Sequence, residues 1–433
     1  MSFLHLLTDL VHQVNDAQNP LAVDLAACGR LRDFQAAAQN SLDPDSPSRE
    51  ALDALIDDAY IQMSASRTED PYPWRRLYTD ACLVRALIDV AHTDRPNENA
   101  VMATIARLDR ALVVAGAPGQ KRHDLILTVI AAIQKAFLPS TLFNPENTPS
   151  SPSLPPVAPL ASSFHSIPRF NTPPSLGIFL RDLRHRPFIM SGYAKEWPAM
   201  NEHPWRCMAY MRSVAGLGRV VPVEVGGDYR KDDWSQQIIP WDAFLDSLEA
   251  TQEDTLLYLA QHNLFYQFPD LRNDIIVPDY VYSAPDAPVD YPAYKPPSNE
   301  DALVTNVWLG PKGTVSPAHT DPFFNLYAQV VGRKTVWVAP PSATPSLYPY
   351  SPPSDASEGK NNTNANATEP SMSNTSRVDV FAVPDDTFPD FWESVVPNAM
   401  STTLEPGDVL FFPPGWWHAM RSEDLSFSVS MWF

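Results

Sequence analysis

EPGDVLFFPPGWWHAMRS, residues 405–422, sets a PGD turn, a short apolar run, a PPG turn and then His418 in direct succession. Gly and Pro fix the turns, so the run between them reads as a buried strand delivering an imidazole. Similar β-branched and aromatic runs, separated by Pro, Gly and Asp, recur from about residue 165. They include GRVVPVEVG (218–226), DTLLYLAQH (254–262), ALVTNVWLG (302–310), KTVWVAP (334–340) and SFSVSMWF (426–433). Many short strands of this texture predict a sandwich or barrel.

The N-terminal part has a different texture. After the Ser46-Pro47 start signal, Leu52, Leu55, Ile56, Ala59 and Tyr60 make one apolar helical face. ACLVRALIDVA, NAVMATIARLDRALVVA and DLILTVIAAIQKAF repeat that spacing, which predicts an all-α domain over 1–138. The Pro- and Ser-rich stretch over 139–164 reads as an extended linker to a second domain, 165–433. Within that domain, SPPSDASEGKNNTNANATEPSMSNTSR (351–377) is low-complexity and polar, and predicts a disordered surface insertion. A chain of 433 residues suits two domains, and 45 Pro against 15 Gly suits rigid turns plus a linker.

Composition limits the partners. A formal charge of −20 argues against binding phosphate backbones, so no direct nucleic-acid contact is expected. No apolar stretch is long enough to span a bilayer, and MSFLHLLTDLVHQVND reads as a helix, not a secretory leader. Cys28, Cys82 and Cys207 are odd in number and outside any CxxC spacing, which predicts a reducing compartment and no thiolate zinc site. The expected location is intracellular, and the composition is compatible with the cytoplasm. The sequons at Asn361, Asn366 and Asn374 read as chance matches in an Asn/Thr/Ser-rich loop.

A second imidazole lies in SPAHTDPFFN, 316–325, where His319 and Asp321 are two residues apart. Side chains at that spacing share one face of a strand, and Pro322 holds Asp321 extended while ending the ladder. A His-x-Asp pair alone is more often a structural hydrogen bond. With His418 it becomes a two-imidazole, one-carboxylate set, an arrangement that leaves open positions on ferrous iron.

WLGPKGTVSPAHTDPFFNLYAQVVGRKTVWVAPP (308–341) and PGDVLFFPPGWWH together resemble the JmjC domain of 2-oxoglutarate-dependent oxygenases. YLAQHNLFYQFPDL, NDIIVPDY and DLSFSVSMWF resemble most the subgroup of JmjC-domain-containing protein five, which covers arginyl hydroxylases and lysine demethylases. The general cupin pattern is similar too, but here His-x-Asp replaces its His-x-His. The resemblance implies an α+β protein whose C-terminal half is a double-stranded β-helix, a jelly-roll, cupin-like JmjC barrel. It implies Fe(II) on His319, Asp321 and His418, with 2-oxoglutarate and O2 as cosubstrates.

Lys334 shares parity with Val336 and Val338, so it projects among apolar neighbours where a cation needs an anionic partner. The resemblance makes that anion the distal carboxylate of 2-oxoglutarate. Tyr258, Ser316 and Asn325 match positions that hold the same cosubstrate, Asn325 being in phase with His319 and Asp321 if the strand resumes. Glu224 matches a carboxylate that faces a guanidinium; Gln261 and Trp308 add a hydrogen bond and a cation-aromatic contact. The implied activity is hydroxylation of an arginine side chain in a partner protein. The alternatives are histone N-methyl-lysine demethylation and a catalytically silent JmjC adaptor.

Overall fold

The computed structural model describes residues 2–433 except 66–69, 94–95, 142, 145–154, 232, 251–254 and 351–371. The chain divides into two compact units, one of Met1–Phe143 with Met211–Pro222 and Ile238–Leu245, the other of the remaining residues.

The first unit is helical: α1 (Phe3–Asn15), α2 (Pro20–Ala27), α3 (Leu31–Asn40), α4 (Ser48–Ser64), α5 (Tyr72–Ala91), α6 (Glu98–Val113) and α7 (Arg122–Phe137). Helix α5 is buried around most of its circumference, with Leu77, Ala81, Val84 and Ile88 all in the core. A helix covered on most sides belongs at the centre of a bundle, and its buried Arg76 and Asp80 pair with each other at 2.7 Å. On α4 the buried stripe is narrower than its sequence suggests: Leu52, Leu55 and Ala59 are buried, whereas Tyr60 is exposed. The segment 211–222 belongs to this unit for an electrostatic reason. Asp109 of α6 is fully buried and accepts a two-pronged guanidinium from Arg219, at 2.7 and 2.8 Å, plus the Val220 backbone N–H. Such a fork satisfies both carboxylate oxygens away from water.

The second unit contributes most of the fourteen strands among the described residues: β1 (His165–Ser166), β2 (Arg169–Phe170), β3 (Phe188–Met190), β4 (Val220–Val225), β5 (Ser235–Pro240), β6 (Leu257–His262) and β7 (Val304–Gly310). The series continues with β8 (Val315–Thr320), β9 (Asn325–Val331), β10 (Lys334–Ala339), β11 (Met400–Leu404), β12 (Val409–Phe412), β13 (Trp417–Ser422) and β14 (Ser426–Trp432). They form a five-stranded sheet, β1-β11-β10-β13-β8, and a nine-stranded sheet, β2-β3-β12-β9-β14-β7-β6-β4-β5. Neighbours distant in sequence, such as β9 and β14, are the mark of a jelly-roll sandwich.

Period-two alternation decides what lies between the sheets. Val336 and Val338 of β10 and Met420 of β13 pack inward against Tyr327 of β9 and Leu410 and Phe412 of β12. The intervening Trp337, Ala339 and Ala419 face the other way, into a second cluster with Leu347, Val378 and Phe391. Both faces of β10 are therefore apolar.

Two sequence expectations change here. Of the polar stretch 351–377, residues 351–371 lie outside the described residues. The end of the stretch, however, is built into the sheet. Thr375 pairs antiparallel with His319, and Thr375 and Ser376 are buried. The apolar Val378 and Val380 that follow are core residues and anchor this return. Of the linker, 145–154 likewise lie outside the described residues, while its later part docks within the second unit. Pro155 O accepts from Arg333 at 2.7 Å and Ser162 O from the Trp337 indole at 2.9 Å.

Candidate metal centre

Strands β8 and β13 pair antiparallel with His319 directly opposite His418, which brings the two rings to 4.2 Å between centroids. Asp321 follows the end of β8, where its carbonyl accepts the Gly415 N–H at 2.8 Å, tying it to the PPG turn before His418. One ligand atom from each of His319, Asp321 and His418 lies within 4.8 Å of the others, the one such group found among the described residues.

The rings are oriented for ligation. Nδ1 of His319 meets Pro317 O at 2.8 Å, and Nδ1 of His418 meets Trp416 O at 3.0 Å. A carbonyl only accepts, so each Nδ1 carries its hydrogen and each Nε2 keeps a lone pair. Outer hydrogen bonds of this kind fix tautomer and ring orientation at metal sites. Burial, then the neighbouring His418, pushes His319 down to about 4 against the pull of Asp321, so it is neutral near pH 7. Burial also pushes Asp321 up, but the adjacent His418 and His319 outweigh it and leave the carboxyl below its usual range. Two imidazoles and one carboxylate, without a thiolate, fit a divalent ion and leave coordination positions open.

A β-bulge completes the wall. Between His418 and Met420 the register shifts, so that Met420 faces Ser316 while His418 faces His319. The extra residue lets Ser316 and His319 share the inner face despite their odd spacing, and Pro317, which has no N–H to donate, sits within it.

Lys334 is 1% exposed and lies inward as its parity requires. Its Nζ donates to Tyr327 Oη at 2.8 Å and Tyr258 Oη at 3.2 Å. Burial lowers its pKa to about 7. Tyr258 is pushed well above its usual range by burial and then by Tyr327, against the pull of Ser316. Among the described residues this buried amine is held by two phenols and no carboxylate, so its charged form lacks an anionic partner.

The cavity beside the triad is lined by Trp308, Ser316, Asn325, Tyr327 and Trp432, among others. Asn325 reaches it by a route the sequence does not suggest. The strand of His319 does not resume; residues 321–324 cross between sheets, and Asn325 opens β9 in the nine-stranded sheet. Its Oδ1 accepts from Met431 N at 3.3 Å.

Trp308 donates its indole N–H to Ser430 Oγ at 3.2 Å. Glu224 lies outside this lining but faces Tyr258 across the β4–β6 pair. Burial raises its pKa, with Trp234 pulling down and Asp228 pushing up. Gln261 is exposed at an irregularity in β6, with φ +47°, and does not line the cavity. Tyr327 is the partner that sequence reasoning missed. It lies two residues after Asn325 on the same strand, so period-two parity was the available signal.

Fold and site together define a cupin-like protein with a candidate two-histidine, one-carboxylate metal centre. The comparisons give its family. Residues 182–433 match the cupin-like domain family. Lysine-specific demethylase 8 of Danio rerio is 34% identical over 399 residues, covering 89% of this chain and 87% of that protein. Lysine-specific demethylase 8 of Xenopus tropicalis is 36% identical over 299 residues, 68% of this chain and 59% of that protein. Jumonji C domain-containing protein 5 of Drosophila melanogaster is 36% identical over 260 residues, 57% of this chain and 54% of that protein. The chain thus spans between about half and nine-tenths of these relatives. It belongs to the JmjC branch of the cupin-like family and is a 2-oxoglutarate-dependent dioxygenase. Among the described residues no helix is long and apolar enough to cross a membrane.

Proposed function

We propose that this chain hydroxylates an arginine side chain of a partner protein, using Fe(II) held by His319, Asp321 and His418. Bound there, iron with 2-oxoglutarate and O2 supplies the oxidising power for inserting oxygen into an unactivated C–H bond. The residues of the chain supply everything else. Lys334, held by Tyr258 and Tyr327, receives the distal carboxylate of 2-oxoglutarate, and Ser316 and Asn325 line the same cavity. Phe412, Met420 and Trp432 close the cavity with apolar surface and exclude water.

The observation that carries the substrate is Glu224. It is a half-buried carboxylate beside Tyr258, and no Arg or Lys pairs with it among the described residues. A guanidinium is the cation whose fork matches a carboxylate, and Trp308 offers a ring face nearby. Gln261, exposed on the adjacent strand, contributes from the rim.

The names of the relatives favour a second reading, removal of a methyl group from lysine, in which the same oxidation hydroxylates the methyl carbon. Mass spectrometry of arginyl and methyl-lysyl peptides after turnover separates the two. Gain of one oxygen on arginine supports the proposal; loss of methyl mass from lysine, with arginine unchanged, overturns it in favour of the second. A nuclear or cytoplasmic location accompanies either reading.

A further inference from the structure

The strand that carries His319 is the last of its sheet, and its outer edge is covered by residues 374–376. Ser376 N donates to Ala318 O at 2.8 Å and Thr320 N donates to Asn374 O at 3.0 Å, so the backbone on both sides of His319 is pinned. Asn374 makes a second bond. Its side-chain Nδ2 donates to Thr320 O at 3.0 Å. Thr320 is the residue between the two ligands His319 and Asp321, and one exposed asparagine therefore holds both its N–H and its C=O.

The inner side of the strand makes this outer clamp necessary. The bulge at Pro317 and Ala318 interrupts pairing with β13 just before His319, and the ladder to β13 ends at Thr320. An edge strand with a bulge and a proline is the weakest kind of support for ligands that must meet a metal within about 0.2 Å. The sequon Asn374-Thr375-Ser376 thereby gains a structural use: its first residue clamps Thr320, and the other two are buried.

We infer that Asn374 is a positioning residue for the metal centre, acting through the Thr320 peptide. The inference rests on the metal reading of the His319, Asp321 and His418 site. Replacing Asn374 by Ala removes the side-chain bond and leaves the backbone bond. Asp is the sharper probe, because it is isosteric but sets an anion against the Thr320 carbonyl. Mn(II) titrated into the full chain without oxygen or 2-oxoglutarate, well below the melting temperature, reads the effect directly.

Losing an outer hydrogen bond at a metal site costs about tenfold in affinity or more. Asn374→Ala is therefore expected to weaken Mn(II) binding about tenfold, and Asn374→Asp at least as much. The KM for iron rises in parallel, while kcat at saturating iron is retained. A role in filling space alone would leave the isosteric Asp variant like the native protein. Native binding that both variants match within about twofold overturns this inference and leaves the metal site standing. A native chain that takes up no Mn(II) overturns both.

Discussion

Replacing Lys334 by Met should stabilise the cosubstrate-free protein while sharply weakening its binding of 2-oxoglutarate. Burial brings the ammonium from its usual 10.5 to about 7, so folding at pH 7.5 requires most molecules to give up that proton. At about 1.4 kcal/mol per tenfold change, the cost is on the order of 4 kcal/mol. Met has nearly the same length and carries no charge, but it forfeits the bonds to Tyr258 and Tyr327 at about 1 kcal/mol each. The balance is a gain of about 2 kcal/mol, or roughly 4 °C in melting temperature for a domain of this size.

The sign against pH follows from the same linkage. Between pH 7 and 10.5 the unfolded chain binds the proton that the native lysine has lost, so native stability rises with pH and the advantage of Met shrinks. Removing one partner of a buried ion pair costs about 2–5 kcal/mol, so 2-oxoglutarate affinity falls about thirtyfold or more. Thermal unfolding with calorimetric titration of 2-oxoglutarate measures both. A Met variant that melts below the native protein, or binds 2-oxoglutarate as tightly, refutes the receptor role of Lys334.

In the native protein, 2-oxoglutarate binding should take up a proton above pH 7, with Kd rising up to about tenfold per pH unit; calorimetry in buffers of different ionisation enthalpy counts that proton. Glu224→Gln should raise the KM for an arginyl peptide by about tenfold or more, leaving 2-oxoglutarate affinity unchanged, because a desolvated charge partner is lost without touching Lys334; steady-state kinetics against both ligands reads the split. Gly332→Ala should cost about 2 kcal/mol or more of unfolding free energy, read from denaturant melts. Gly332 has φ +64°, and an added Cβ would lie 1.9 Å from Leu425 O, a backbone atom that cannot step aside.

The sequence carried the barrel well where side-chain parity was the signal. Lys334, Val336 and Val338 project inward as a set because a strand alternates strictly, and the turn residues around DVLFF bounded its strand. His319 and His418 could be paired because their chemistry is distinctive, although only the sheet register shows them opposite one another. What could not be read was anything decided by a break in alternation. The Pro317 bulge puts Ser316 and His319 on one face, and the crossing at 321–324 moves Asn325 into the other sheet. Composition also misled at residues 372–377. Their polar side chains match the stretch before them, yet the backbone bonds to β8 place them in the sheet. In the helical unit, periodicity gave α4, but which part of its stripe is covered depends on neighbours that no local pattern encodes.

The ligand set itself is tested by anaerobic iron uptake in the native chain and in Asp321→Ala. Removing one of three ligands leaves the core intact, so circular dichroism and melting should stay close to native. The native chain is expected to bind one iron and the variant none, with iron-dependent succinate formation lost alongside it. A folded Asp321→Ala protein that still binds iron and still forms succinate contradicts the assignment of these three side chains.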